Sequence, residues 1–220
     1  MTWTSVAAIE SPILVIPVGS FEQHGPHLPL DTDTRIAHAL STLIVDAFAP
    51  HAVLGPTITV SASGEHGGFP GTVSIGTDVT IRTFVEIARS ADWSDGVVFV
   101  NGHGGNTEAI ATARTIITSE GRRSLFWSPT AGADDDHHAG RTETSVLLYL
   151  DPNSVDHDRL EAGNTQPIGE LAATLRDGGV KSVSPNGVLG DPRDASADHG
   201  RQLFERWLGE LESAIRSWRN

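Results

Sequence analysis

The chain has 220 residues, a net charge of −13 at pH 7 and no cysteine. Its length suits one well-buried domain, which we expect over residues 1–220. The acidic excess argues against nucleic-acid binding, which requires patches of lysine and arginine, and the lack of cysteine excludes disulfides, thiolate metal sites and a cysteine nucleophile.

Membrane attachment is also not expected. The N-terminal stretch MTWTSVAAIE lacks the basic and long apolar segments of a signal peptide. No window of the sequence approaches the roughly 18 apolar residues that a membrane-spanning helix needs. We therefore predict a cytoplasmic protein in which any metal ion must be bound by His, Asp and Glu side chains.

Short apolar runs alternate with stretches of helical periodicity along the chain. The predicted strands are 13–18, 53–60 (interrupted by Pro56), 97–100 and 125–127, and the glycine-rich segment 61–76 is expected to form a loop with a short hairpin. Helices are predicted over 33–49, 77–88, 106–120, 140–150, 168–177 and 197–218. This alternation implies a mostly parallel sheet with helices on both faces. We expect Thr77 or Asp78, and also Asn106, to cap the helices that they precede.

Polar clusters follow three of the predicted strands: EQHGPHLPLDTD (22–33), NGHGGN (101–106) and GADDDHHAGRTET (132–144). Residues just past the carboxyl ends of parallel strands meet in one crevice. Six histidines lie in these clusters or in the 61–76 loop, namely His24, His27, His66, His103, His137 and His138. The convergence predicts a functional site at the carboxyl edge of the sheet.

Glu22 and His24 are the first candidate metal ligands. They are two residues apart on extended chain, so their side chains point to the same side, as two ligands of one ion require. Asp33 follows at the start of a predicted helix, whose positive end favours the ionised carboxylate. Carboxylates combined with imidazoles suit zinc, manganese or ferrous iron. The alternatives are a solvated turn for Glu22 and His24, and helix capping by Asp31 or Asp33.

Further candidates lie in the later clusters. His103 stands between glycines that allow close approach to a ligand, although a tight turn with a surface histidine is the alternative. Glu143 lies near the start of a helix that points into the crevice, or is a simple surface residue. The aspartates at 134–136 favour a solvated acidic turn rather than ligands. Glu65 and His66 either line the mouth of the site or only shape the loop.

Four motifs, GSFEQHGPHLPLDTD, EHGGFPGT, NGHGGN and HAGRTETS, resemble in order and spacing the creatininase (creatinine amidohydrolase) family, from about residue 10 to 205. The resemblance implies a three-layer α/β/α sandwich, a homo-oligomer and two divalent metal ions (Zn, Fe(II) or Mn). HAGRTETS, AGNT (162–165) and SPNGVLGDPRDASADHG (184–200) look most like the mycofactocin-system branch. That branch is described as a peptidase that trims a modified precursor peptide.

The resemblance also implies roles for individual residues. The implied metal ligands are Glu22, His24, Asp33, His103 and Glu143, with Asp33 bridging the two ions. His138 would be the catalytic acid/base, and we add His66, Gly104 and Gly105 as substrate-binding candidates. The creatinine-hydrolysing members have Glu where this chain has Gly105, which argues against creatinine as the substrate.

Three functional hypotheses follow. The first is a metal-dependent peptidase that releases a short C-terminal fragment from a small ribosomal precursor peptide. The second is an amidohydrolase of the same family that acts on a small cyclic amide or a formamide. The third is a metal-binding scaffold without turnover, which the complete ligand set and His138 argue against. In either enzyme, metal ions would activate a water for attack on the amide carbonyl, and His138 would protonate the leaving nitrogen.

Overall fold

A parallel sheet runs through the centre of the molecule, with its strands in the order β2-β1-β3-β4. The computed structural model describes residues 1–130, 132 and 135–220. The strands are β1 (Ile13–Val18), β2 (Ala52–Leu54), β3 (Gly96–Asn101) and β4 (Ser124–Trp127). The helices are α1 (Trp3–Ala7), α2 (Thr32–Ala47), α3 (Gly76–Ser90), α4 (Thr107–Ser119), α5 (Arg141–Leu150), α6 (Ile168–Gly178), α7 (Val180–Val183) and α8 (Ala197–Arg219).

The two faces of the sheet support two separate hydrophobic cores. Successive strand residues point to opposite faces, so Ile13 and Val15 of β1 belong to one core and Leu14 and Ile16 to the other. Helices α2, α5 and α8 close the first core, whereas α3 and α4 close the second. The predicted three-layer α/β/α sandwich is therefore confirmed. Burial on both faces explains why β1 and β3 are continuous apolar runs.

Two predicted β elements are wrong. The strand predicted over 53–60 ends at Leu54 because Pro56, which has no N–H to donate, soon follows. Past Pro56, the chain pairs with β1 again at a bridge between Val18 and Ile58. The segment 61–76 forms a 3₁₀ turn (Gly64–His66) in place of the predicted hairpin.

The predicted helix caps are also wrong. Helix α3 begins one residue earlier than expected, with Ile75 at the N-cap, and the N–H of its first residue, Gly76, donates to the Ser74 hydroxyl at 3.1 Å. Asn106 occupies the N-cap position of α4, but its side chain is used elsewhere. Its Oδ1 accepts from the Ala62 N–H (3.2 Å) and its Nδ2 donates to Asn101 Oδ1 (2.9 Å). Asn106 thus ties the end of β3 to the loop that follows β2.

Among the residues described, no helix combines the length and the apolar character that crossing a bilayer requires. The longest helix, α8, buries Leu203, Trp207 and Leu211 against the first core. Its apolar face is therefore used in packing within the domain.

Candidate metal centre

The predicted ligands come together at the carboxyl end of the sheet. The loop after β1 carries Glu22 and His24, the first turn of α2 carries Asp33, the turn after β3 carries His103, and the first turn of α5 carries Glu143. Their donor atoms form two groups, Glu22–Asp33–His103 and His24–Asp33–Glu143, each with donor atoms within 4.8 Å of one another. Asp33 is common to both groups.

Asp33 directs its two oxygens to different histidines. Its Oδ1 lies 3.0 Å from Nε2 of His24, and its Oδ2 lies 3.2 Å from Nδ1 of His103. The Ser20 hydroxyl donates to Oδ2 at 2.8 Å and holds the carboxylate in place. Within the described chain, Asp31 at the N-cap of α2 makes no capping bond with its side chain, and the Asp33 side chain faces the cluster. The capping alternative is therefore wrong for both residues.

Glu22 is completely buried and its carboxylate lacks donors. Its Oε1 lies 3.2 Å from Nδ1 of His103 and 3.3 Å from Nε2 of His66. Neither carboxylate oxygen has a hydrogen-bond partner among the described residues. A buried carboxylate without donors is costly unless a cation compensates it. The solvated turn is thus wrong for Glu22, and its environment fits a metal ligand.

Backbone carbonyls set the orientation of two imidazoles. Nε2 of His103 donates to the Ala62 carbonyl at 2.8 Å, and Nδ1 of His24 donates to the Glu22 carbonyl at 3.1 Å. A carbonyl can only accept, so in each neutral ring the other nitrogen carries the lone pair and faces the carboxylates. Such outer hydrogen bonds are what fixes the tautomer of a metal-binding histidine.

The electrostatics of the cluster favour added positive charge. Burial raises the pKa of Glu143 to about 7. Burial opposes protonation of His24, but Asp33 and Glu143 outweigh it and raise the pKa of His24 to about 10. Burial likewise opposes ionisation of Glu22, but His103 outweighs it and lowers the pKa of that carboxyl. Three converging carboxylates with imidazole nitrogens are a donor set that fits divalent ions such as zinc or manganese.

His138 lies beside this cluster. Its ring is partly buried between those of His24 and His66, with centroids 4.5 Å from each. Burial, together with the neighbouring imidazoles of His24 and His66, holds the pKa of His138 well below its usual range. The side chain of its neighbour His137 is exposed. His138 also forms a possible ligand group with Glu22 and His24, so its imidazole is within reach of an ion as well as of a substrate.

The acidic turn before His138 is not simply solvated. Asp136 accepts hydrogen bonds from the backbone N–H groups of Arg141 and Thr142, at the start of α5. Asp135 accepts from Arg206 of α8 at 2.7 Å. Asp136 therefore anchors the start of the helix that carries Glu143, and Asp135 connects the turn to α8, while residue 134 lies outside the described residues.

Gln23 is a site residue that the sequence reasoning missed. Its Oε1 accepts from the Gly25 N–H at 2.9 Å, which assigns the other side-chain atom as the amide nitrogen. That Nε2 lies 2.8 Å from Nδ1 of His66 and 3.2 Å from the Gly187 carbonyl, while the backbone carbonyl of Gln23 accepts from Nε2 of His138 at 2.9 Å. The only available signal was its place between two ligands in the EQH motif.

The segments AGNT and SPNGVLGDP form the wall behind His138. The Asn164 N–H donates to the Val188 carbonyl at 3.0 Å, and the Leu189 N–H donates to the His138 carbonyl at 2.8 Å. The two segments therefore pair with each other and hold the backbone of His138 next to the cluster. These contacts give the two branch-specific motifs a structural role.

Two cavities meet at the cluster. One, of about 370 Å³, is lined by the three substrate-binding candidates His66, Gly104 and Gly105, and also by the apolar residues Ile168, Leu175, Val180 and Leu189. The other, of about 320 Å³, is lined by Thr107, Ser128, Thr130 and Trp207 among others. Both cavities share His103 and Glu143, so the open space extends to two sides of the predicted ligands.

Known proteins resemble this chain over nearly its whole length. The family model "Creatininase: Creatinine amidohydrolase" matches residues 1–215. A mycofactocin precursor peptide peptidase from Mycolicibacterium smegmatis is 50% identical over 212 residues, which cover 94% of this chain and 85% of that protein.

Solved structures show the same fold. A manganese form of creatininase has a TM-score of 0.82 at 21% identity and covers 99% of this chain and 96% of its own. A Zn–Zn form of a creatininase variant has a TM-score of 0.82 at 22% identity, covering 99% and 95%. The resemblance seen in the sequence motifs is confirmed, and the chain belongs to the creatininase family of metal-dependent hydrolases that act on carbon–nitrogen bonds.

Proposed function

We propose that this protein is a metal-dependent peptidase that cleaves a short C-terminal fragment from the modified mycofactocin precursor peptide. The observation that carries the proposal is the 50% identity to a peptidase named for that substrate. The hydrolase class follows from the family, whereas the peptide substrate is inferred from that relative.

The shape of the site supports an extended substrate. A peptide bond inside a chain has residues on both sides, so a peptidase needs space on both sides of its reacting centre. The two cavities of about 370 and 320 Å³ meet at His103 and Glu143 and supply that space. The apolar wall formed by Ile168, Leu175 and Val180 suits apolar side chains on one side of the cleaved bond.

The site is proposed to hold two divalent ions, with zinc, ferrous iron and manganese as candidates. One ion would be bound by Glu22, Asp33 and His103. The other would be bound by His24, Asp33 and Glu143, with Asp33 bridging. When bound, such a pair of ions polarises the amide carbonyl and activates a water molecule. The orphaned oxygens of Glu22 support this assignment.

His138 is proposed to move the proton. Its low pKa keeps the imidazole neutral near pH 7, so it can accept a proton from the attacking water and deliver it to the leaving nitrogen. The backbone carbonyl of Gln23 accepts from Nε2 of His138 at 2.9 Å and orients the ring towards the cluster. His66, Gly104 and Gly105 are proposed to contact the substrate beside it.

The proposal is tested by incubating metal-loaded protein with the modified precursor peptide, with creatinine and with a formamide, followed by mass spectrometry. We expect cleavage near the C-terminus of the peptide and no turnover of the two small amides. A chelator should abolish cleavage and an added divalent ion should restore it. Turnover of a small amide without peptide cleavage would favour the second hypothesis, and full activity in chelator would contradict the metal centre.

A further inference from the structure

The space beside Gly105 is occupied by Glu65. A Cβ built on Gly105 would lie 1.9 Å from Oε1 of Glu65, 2.4 Å from Nε2 of His103 and 2.8 Å from the Ala62 carbonyl oxygen. The backbone of Gly105 is not in the left-handed region, so the lack of space, rather than its conformation, excludes a side chain there. At Gly104, within the part of the chain that is described, a Cβ would meet no atom within 4 Å.

The carboxylate of Glu65 approaches the outer edge of His103. Oε1 of Glu65 lies 3.5 Å from Nε2 of His103, the ring nitrogen opposite the one that faces Glu22 and Asp33. That same Nε2–H donates to the Ala62 carbonyl. One side of the imidazole thus faces the cluster, and the other faces a carbonyl and a carboxylate. The glycine at position 105 is what allows the carboxylate to come this close.

We infer that Glu65 is a positioning residue that acts through His103 on the ion held by Glu22, Asp33 and His103. An ion bound at Nδ1 of the imidazole draws electron density from the ring and makes its Nε2–H more positive. A carboxylate near that N–H stabilises the change and makes the ring a stronger ligand. The inference rests on the proposed metal centre, but it concerns only one of its two ions.

Selectivity between the two ions follows from the geometry. In the other group, Nδ1 of His24 donates to the Glu22 carbonyl and Glu143 accepts from the Ala139 N–H, so Glu65 orients neither residue. Removal of the Glu65 charge should therefore weaken the ion at His103 and leave the ion at His24 nearly unchanged. A residue that served only the shape of the loop would affect neither ion selectively.

The experiment is a Zn²⁺ titration of metal-free protein against a competing chromophoric chelator, for wild type, Glu65→Gln and Glu65→Asp. We expect wild type to bind two ions, Glu65→Gln to lose about tenfold to a hundredfold in the affinity of one of them, and Glu65→Asp to lose less because it keeps the charge. Glu108→Gln, an exposed acid on the first turn of α4, is the matched control and should match wild type.

A glycine pair gives an independent measurement. Gly105→Ala should weaken the same ion because the new methyl group displaces Glu65 and His103, whereas Gly104→Ala has free space and should not. Unchanged zinc affinity for both ions in Glu65→Gln, or equal weakening of both, overturns the inference while the proposed peptidase stands. A changed KM with unchanged zinc affinity likewise overturns it and makes Glu65 a substrate contact. If the wild-type protein binds no zinc, the proposed metal centre is wrong and this inference is wrong with it.

Discussion

Nε2 of His24 lies 3.0 Å from Oδ1 of Asp33, while the second oxygen of that carboxylate faces His103. One carboxylate therefore connects the two groups of predicted ligands. We expect Asp33→Ala to lose most of the bound metal, because a bridging carboxylate serves both ions. Metal content of the purified variant, measured by elemental analysis, checks this.

Two controls sharpen the Asp33 test. Asp31→Ala removes a neighbouring acid that pairs with Arg35 outside the cluster, and it should retain its metal. Glu143→Gln belongs to one group only and should lose about one ion of two. Metal content near wild type in Asp33→Ala would contradict the bridging role.

His138 and His137 are adjacent but face different surroundings. His138 is packed between His24 and His66, whereas the side chain of His137 is exposed. We predict that His138→Ala keeps its fold and metal but loses at least about a hundredfold in rate, the usual scale for a general acid/base. His137→Ala should be close to wild type in peptide cleavage.

The metal content of His138→Ala separates two roles. This imidazole is also within reach of an ion together with Glu22 and His24. Loss of an ion in parallel with the rate would make His138 a ligand rather than the acid/base. An inactive His137→Ala beside an active His138→Ala would show that the catalytic histidine has been assigned to the wrong residue.

Gln23 is predicted to matter for turnover more than for metal binding. Its amide donates to His66 and to the Gly187 carbonyl, and it is not part of either ligand group built around Asp33. Gln23→Ala removes the hydrogen bonds that hold His66 against the ring of His138, so we expect about a tenfold loss in kcat, as the loss of one or two neutral hydrogen bonds implies. Zinc affinity should remain near wild type. An unchanged kcat would contradict this role, and Gln202→Ala on the surface of α8 is the matched control.

The contrast between Gln23 and His24 shows what sequence reasoning could reach. His24 was found because ligand types at a spacing of two follow a buried strand, and strand ends meet at one edge of a parallel sheet. Gln23 acts on residues that are 43 and 115 positions further along the chain, and no local pattern reports such contacts. The layers of the fold were predictable for a similar reason, because the apolar periodicity of strands and helices is also a local pattern in the sequence.

The caps and the second strand were harder to predict for a related reason. Asn106 has the residue type and position of a helix N-cap, but its side chain instead accepts a hydrogen bond from the buried backbone N–H of Ala62. The apolar run after Val53 has strand composition, but Pro56 ends the hydrogen-bonding ladder. A tertiary demand outweighed the local preference at Asn106, whereas a proline in the run itself ended the second strand.

Two glycines in α8 should respond oppositely to the same substitution. A Cβ on Gly200 would lie 1.8 Å from the Ser145 carbonyl oxygen and 2.8 Å from the Val146 nitrogen, both backbone atoms of α5. Backbone atoms cannot move cheaply, so we expect Gly200→Ala to destabilise the protein by about 1–3 kcal/mol. Gly209 has open space, with no described atom within 4 Å of its Cβ position, so Gly209→Ala should stabilise by about 0.5–1 kcal/mol.

Chemical denaturation of the metal-loaded variants measures both effects. Helix α5 also carries Glu143, so the strain that Gly200→Ala introduces should reach the metal centre, and zinc affinity should fall in this variant but not in Gly209→Ala. Equal stability of the two variants would contradict the close approach of α8 to α5. A destabilised Gly200→Ala with unchanged zinc affinity would show that the start of α5 keeps its position while the helices move apart, because the hydrogen bonds from Arg141 and Thr142 to Asp136 anchor it independently.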